Sequence, residues 1–167
     1  PTPIFMPVGT KGCLKGLSIQ ELTSDPALAC PIILGNTYHL AIQPGTELVH
    51  EMGGLHSFQG LDKTDIHKNE YSYNLLTDSG GFQMVSLVEL SEVTEEGVSF
   101  ENPFKNKEKQ EKDTSDGSSN NEKKDMLLLK PEDSIRHQNN ISANIIMALD
   151  DVISSVTVDD ERFQTAT

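Results

Sequence analysis

Three times along this chain an aliphatic run of strand length stops at hydrogen-bonding residues, and any fold proposed for it has to accommodate that repetition. Ile32-Ile33-Leu34 runs into Gly35-Asn36-Thr37-Tyr38-His39, Leu75-Leu76 into Thr77-Asp78-Ser79-Gly80-Gly81, and Ile145 through Leu149 into Asp150-Asp151. Short aliphatic runs suit strands buried in a parallel sheet. In such sheets the C-terminal ends of the strands open on one side, which is where ligands bind. Helical patterns between at least two of the runs predict βα units and an α/β fold. A complete (β/α)8 barrel needs about 250 residues. The 167 residues here therefore correspond to a partial TIM barrel, roughly its N-terminal half. Residues 1–167 are read as the N-terminal part of one such domain, with Asn36, Asp78 and Asp150 on a common rim. A start at Pro1 rather than methionine leads us to expect a piece of a longer protein.

Local signals fill in the spaces. Ile4 through Val8 with the turn at Gly9-Thr10-Lys11-Gly12 predicts an opening strand or hairpin. Ser18 with Glu21 three residues on forms a capping-box pattern, and Asp25-Pro26 ends the helix it starts. Asn36 through His39 is expected to be a polar loop. Pro44 through Met52 reads as a helix closed by Gly53-Gly54. Residues 57–74 are polar and irregular, a surface excursion. Met84 through Leu90 fits helix or strand, and Glu92 through Phe100 alternates about Glu-Gly as a β-hairpin does. Residues 105–125 hold six lysines, six acids and no apolar residue, so they are expected to be a disordered polar insertion. Pro131-Glu132-Asp133 suits the start of a helix running to about Ala143.

Composition excludes several functions. The net charge of −13 provides little for gripping phosphates, so a nucleic-acid substrate would have to be held by another segment or subunit. No apolar run approaches the roughly 20 residues of a membrane span, and no signal peptide is recognisable. Cys13 and Cys30 lie in no metal-binding spacing, and the five histidines form no HxH or HxxxH pair. Free thiols in a reducing compartment are expected, with no metal site.

Asp78 and Asp150, each delivered by a strand to the same rim, are the candidate functional pair. Gly80-Gly81 permits a sharp turn whose amides can converge on an electron-rich atom. Such a pair can ligate a divalent metal or serve as the acid and nucleophile of a glycosidase. Alternatively, one acid can hold the N–H edge of a purine-like base while the other handles protons. Either acid can instead simply cap a helix or pair with a lysine.

Met6-Pro7-Val8-Gly9-Thr10, Leu34 through Leu40, Leu76 through Leu87, Ser91 through Val98 and Ile145 through Val152 resemble, in order, the queuine tRNA-ribosyltransferase (tRNA-guanine transglycosylase) family. The resemblance extends over nearly the whole chain except 57–74 and 105–127. It implies a TIM-barrel enzyme that exchanges guanine at the anticodon wobble position of tRNA for queuine or a 7-deazaguanine precursor, through a covalent ribosyl-enzyme intermediate. Asp78 matches the family's catalytic proton acceptor, and Asp78, Ser79, Gly80, Gly81 and Phe82 its base-binding loop. Asp150 matches the acid on the Watson-Crick edge of the base, and Asn36 borders the pocket.

The resemblance further implies tRNA and a queuine or guanine base as partners, a dimer with itself or with a homologous noncatalytic subunit, and a cytoplasmic location. The family's nucleophilic aspartate, basic tRNA-binding region and structural zinc site lie beyond Thr167, so the isolated chain is expected to be inactive and free of cofactors. Gln43 stands where the family has arginine, and His137 where it has an apolar residue before Gln138; altered local pairing is expected at both. Two alternatives remain: a noncatalytic partner subunit of the same transglycosylase, and an unrelated barrel hydrolase or lyase.

Overall fold

The computed structural model describes residues 3–61, 73–81, 91–101, 126–150 and 164. Its strands are β1 (Val8–Gly9), β2 (Ile32–Gly35), β3 (Asn74–Thr77), β4 (Ser91–Thr94), β5 (Gly97–Glu101), β6 (Met126–Leu129) and β7 (Ile145–Ile146). The helices are α1 (Ile19–Ser24), α2 (Thr37–Ile42), α3 (Thr46–Glu51), α4 (Leu55–Phe58) and α5 (Pro131–Ile141). These elements fall into two compact units. One comprises residues up to Gly80 together with Glu132–Asp150, and the other is built around the residues between Gly81 and Pro131.

The first unit is a parallel sheet in the order β1-β2-β3-β7. The alternation along β2 and β3 separates its faces. Ile33, Gly35, Leu75 and Thr77 are buried, whereas Ile32, Leu34 and Leu76 on the opposite face are only half-buried. On the covered side, Leu75 packs with Leu40, Val49, Leu55 and Ile141 from α2 to α5. Ile33 packs with Ile19, Leu22, Leu61 and Tyr73. Ser18 caps α1 in a full capping box, with its backbone N–H 2.7 Å from Glu21 Oε2 and the Glu21 amide 3.2 Å from Ser18 Oγ.

Several expectations need correcting. The opening strand is no hairpin arm, because β1 pairs in parallel with β2. Thr37-Tyr38-His39 is not loop but the first turn of α2, since Asn36 caps it. The polar stretch 57–74 is ordered at both ends: Ser57 and Phe58 finish α4, Leu61 and Tyr73 enter the core, and Asn74 opens β3. The run from Ile145 to Leu149 gives a strand of only two residues, both exposed, because its main chain leaves the ladder for a side chain of α5. Residues 62–72, Met84–Leu90 and the insertion at 105–125 lie outside the described residues.

In the second unit, β4, β5 and β6 form an antiparallel sheet in that order. The hairpin predicted about Glu96-Gly97 is present, with Val93 opposite Val98. Gly97 has φ +141°, and a Cβ there would lie 2.2 Å from the Leu129 carbonyl oxygen, so only glycine lets β6 pass. Sequence reasoning missed β6, although Met126-Leu127-Leu128-Leu129 is an apolar run of strand length.

These packing differences predict a ranking. Leu75→Ala, in the fully covered core, is expected to cost about 2–5 kcal/mol, and Ser18→Ala, which removes an exposed cap, about 1 kcal/mol. Denaturant unfolding of the full-length protein checks both the order and the sizes.

Candidate active site

Because β2 and β3 run side by side in register, with Gly35 opposite Thr77, the residues that follow them emerge as neighbours. Asn36 accepts from the His39 amide at 3.0 Å and so caps α2. That bond fixes its amide, leaving Nδ2 to donate to Asp78 Oδ2 at 2.7 Å. The Thr37 amide donates to Asp78 Oδ1 at 2.9 Å, and the Thr37 hydroxyl to the Asp78 carbonyl at 2.6 Å. Asp78 therefore does cap a helix, the one entered from the neighbouring strand, and it also accepts from the Gly80 amide of its own following turn.

That role leaves capacity to spare. A carboxylate has about four acceptor positions, and Asp78 is only half-buried. Burial pushes its carboxyl above the ordinary value of 3.8, against the pull of the Thr37 and Gly80 amides, His39 and the Asn36 side chain. A carboxyl raised by burial within a cluster of donors holds a proton more readily than a free one, as a general base requires.

Ser79 is buried, and its hydroxyl donates to Asp150 Oδ1 at 3.0 Å. Gly80 has φ +80°, and a Cβ there would lie 3.3 Å from the Tyr38 amide nitrogen, so the turn after Asp78 requires glycine. Gly81 is buried, Asp150 is exposed beyond the end of β7, and Phe82 lies outside the described residues. Asn36, Asp78, Ser79 and Asp150 thus form one run of chain-linked and hydrogen-bonded groups at the C-terminal ends of β2, β3 and β7.

Sequence reasoning missed the groups that brace this run. Thr37 reads in the sequence only as part of a polar loop. Ser134 and Gln138 of α5 are fully buried; Ser134 Oγ donates to the Ser79 carbonyl at 2.7 Å, and Gln138 Oε1 accepts from Thr77 Oγ1 at 2.9 Å. Their signal was present: Ser134, Gln138 and Ile141 share one face at helical spacing, so two polar residues stand where a core-facing stripe is expected. The departures from the family pattern find local partners. Gln43 Oε1 accepts from Lys11 Nζ at 2.7 Å, and His137 Nδ1 lies 2.7 Å from Thr46 Oγ1.

Among the described residues, no three His, Cys, Asp or Glu side chains gather as a metal-binding group. Cys13 and Cys30 form no disulfide. No described helix is long and apolar enough to cross a membrane.

Comparison with known proteins places the chain in context. The family model for queuine tRNA-ribosyltransferase matches residues 1–167. The chain is 44% identical over 156 residues to the queuine tRNA-ribosyltransferase catalytic subunit of Schizosaccharomyces pombe, covering 93% of this chain and 31% of that protein. It is 41% identical over 150 residues to queuine tRNA-ribosyltransferase of Dichelobacter nodosus, covering 90% and 32%. It is also 41% identical over 159 residues to the catalytic subunit of Caenorhabditis elegans, covering 95% and 32%. The chain thus spans about a third of the length of these relatives.

Two outcomes are expected from the geometry. Asn36→Ala removes both a cap and a donor to Asp78, costing about 1 kcal/mol and moving the Asp78 carboxyl further up, as carbon-13 NMR titration would register. Because the folded value of Asp78 is raised, its contribution to stability is full below the ordinary 3.8 and is lost as pH rises through the folded value. Urea midpoints of Asp78→Asn should therefore gain on those of the wild type as pH rises from 3.8 through the folded value of Asp78, and hold level above it.

Proposed function

The chain belongs to the queuine tRNA-ribosyltransferase family, and we propose from that premise that it is the N-terminal part of a tRNA-guanine transglycosylase. The observation that carries the proposal is the linked run of Asn36, Asp78, Ser79 and Asp150 on one rim. Guanine and its 7-deaza analogues present a ring N–H and an exocyclic amine on one edge. A carboxylate accepts from both at once, and Asp150 takes this role. Asp78 receives the proton that the incoming base sheds before its ring nitrogen bonds to ribose. Ser79 and Gly80, which follow Asp78, take the place of the base-binding loop. The nucleophile that holds the ribose covalently between the two half-reactions is supplied from outside this chain.

In this reading the four parallel strands are the first part of a TIM barrel. They follow one another around the sheet in chain order, and both edges carry aliphatic side chains in water, with Val8 58% exposed on β1 and Ile145 46% exposed on β7. Edges of this kind are ready to pair with further strands, which supports this reading. The reaction takes place on tRNA, whose phosphates are gripped by basic residues elsewhere, since this chain carries −13. Two of the relatives are named catalytic subunits, which supports a dimer, either with a second, noncatalytic subunit or with itself. Free cysteines suit the cytoplasm. The family's zinc is held, in this reading, by residues outside this chain, and no step here runs through it.

Labelled-guanine exchange by the full-length protein tests the reading. Asp78→Asn is expected to lower exchange by about 10²–10⁴-fold while the protein stays folded, and Asp150→Ala to raise KM for the base about tenfold or more. Substantial exchange by Asp78→Asn would remove the proton-accepting role, and an unmoved KM would remove the role of Asp150.

A further inference from the structure

The two acids arrive on separate strands, and one buried side chain ties those strands together. Gln138 is fully buried in α5, and all four hydrogen-bonding positions of its amide are used. Oε1 accepts from Thr77 Oγ1 at 2.9 Å and from the Met147 amide at 2.9 Å. Nε2 donates to the Met147 carbonyl at 2.7 Å and to Ser134 Oγ at 3.2 Å. The amide therefore pairs with the Met147 main chain as a neighbouring strand would, at the residue just after β7 ends. Ser134, one helical turn earlier on the same face, passes the connection on to the Ser79 carbonyl at 2.7 Å. Thr77 immediately precedes Asp78, Ser79 follows it, and Met147 opens the short segment that delivers Asp150. A change of either contact would alter the distance between the acids that the Ser79–Asp150 hydrogen bond spans.

We propose that Gln138, with Ser134, is a positioning residue that sets the spacing and orientation of Asp78 and Asp150 without touching the base. The proposal rests on the base-exchange reading above. A fully satisfied buried amide is rigid, whereas an apolar replacement leaves the Thr77 hydroxyl and both Met147 main-chain groups without partners. The Met147–Asp150 segment then gains freedom and the Asp150 carboxylate loses its fixed angle to the base.

The test uses the full-length protein, with amide hydrogen exchange at Met147 and steady-state exchange of labelled guanine as readouts. Gln138→Met, similar in length and unable to make these bonds, is expected to speed exchange of the Met147 amide about tenfold or more and to raise KM for the base about tenfold, with kcat per folded enzyme falling less. Gln138→Glu keeps the two acceptor contacts of Oε1 and is expected to fall between the two. If kcat drops only in proportion to lost folded protein and KM stays put, Gln138 merely holds the fold and the proposal is overturned. Wild-type protection of Met147 in Gln138→Met overturns it equally. Should Gln138→Met fail to fold, Ser134→Ala deletes a single hydroxyl and is expected to raise KM about threefold; an unchanged KM there counts against the proposal. If the wild type exchanges no guanine although Met147 protection still depends on Gln138, the base-exchange reading falls and takes the positioning role with it. Exchange by the wild type with a KM indifferent to both residues removes the positioning role alone.

Discussion

A carboxylate taken partly out of water must be repaid in hydrogen bonds, and in this protein Asp78 imposes that condition on its surroundings. The donors that meet it are the Asn36 side chain and the Thr37 amide, which become available only because the chain turns into α2 directly after β2. The adjacency of β2 and β3, the cap on α2 and the tight glycine turn after Ser79 are thus parts of one arrangement. Moving β3 by one residue against β2 would send Asp78 to the other face of the sheet and leave the first turn of α2 without its acceptor.

The covered face of the sheet is held by different means. There the covering helix α5 contributes an aliphatic anchor at Ile141 and, on the same face, the polar pair Ser134 and Gln138. Asn144, just past the helix, closes the joint: its amide nitrogen donates to the Leu75 carbonyl at 2.9 Å, and its side-chain oxygen accepts from the Leu75 amide at 2.8 Å. One short segment therefore reads the main chain of β3 at Leu75 and its side chain at Thr77. The helix acts as a template for the ends of two strands as well as a cover for their core.

Much of this was legible in the residues. The alternation of aliphatic runs with polar endings announced the parallel strands, and Ser18 with Glu21 announced α1, because both signals are local and rest on periodicity or on capping chemistry. Asp78 and Asp150 stood out because each follows an aliphatic run at the strand end where ligands bind in parallel sheets. What stayed hidden depends on partners far apart in sequence. Nothing near Asn36 says that an aspartate 42 residues later will hold it, so the start of α2 looked like a loop. Gln138 matches the family pattern in the sequence, but nothing there says that its partner is the Met147 main chain. The short β7 failed for the same reason: its aliphatic run promised a longer strand, but a side-chain amide substituted for the ladder.

The antiparallel pairing of Glu101 with Met126 has a practical consequence. The chain leaves β5 and re-enters at β6 from positions one strand spacing apart, about 5 Å. The described ends of β5 and β6 form a single doorway, and lengthening a loop between such ends costs a closure entropy that grows only with the logarithm of the number of residues. That makes residues 102–125 a natural graft point. A fluorescent protein or an affinity tag spliced there would hang from the second sheet by two adjacent threads, reporting on the molecule without asking either strand to move.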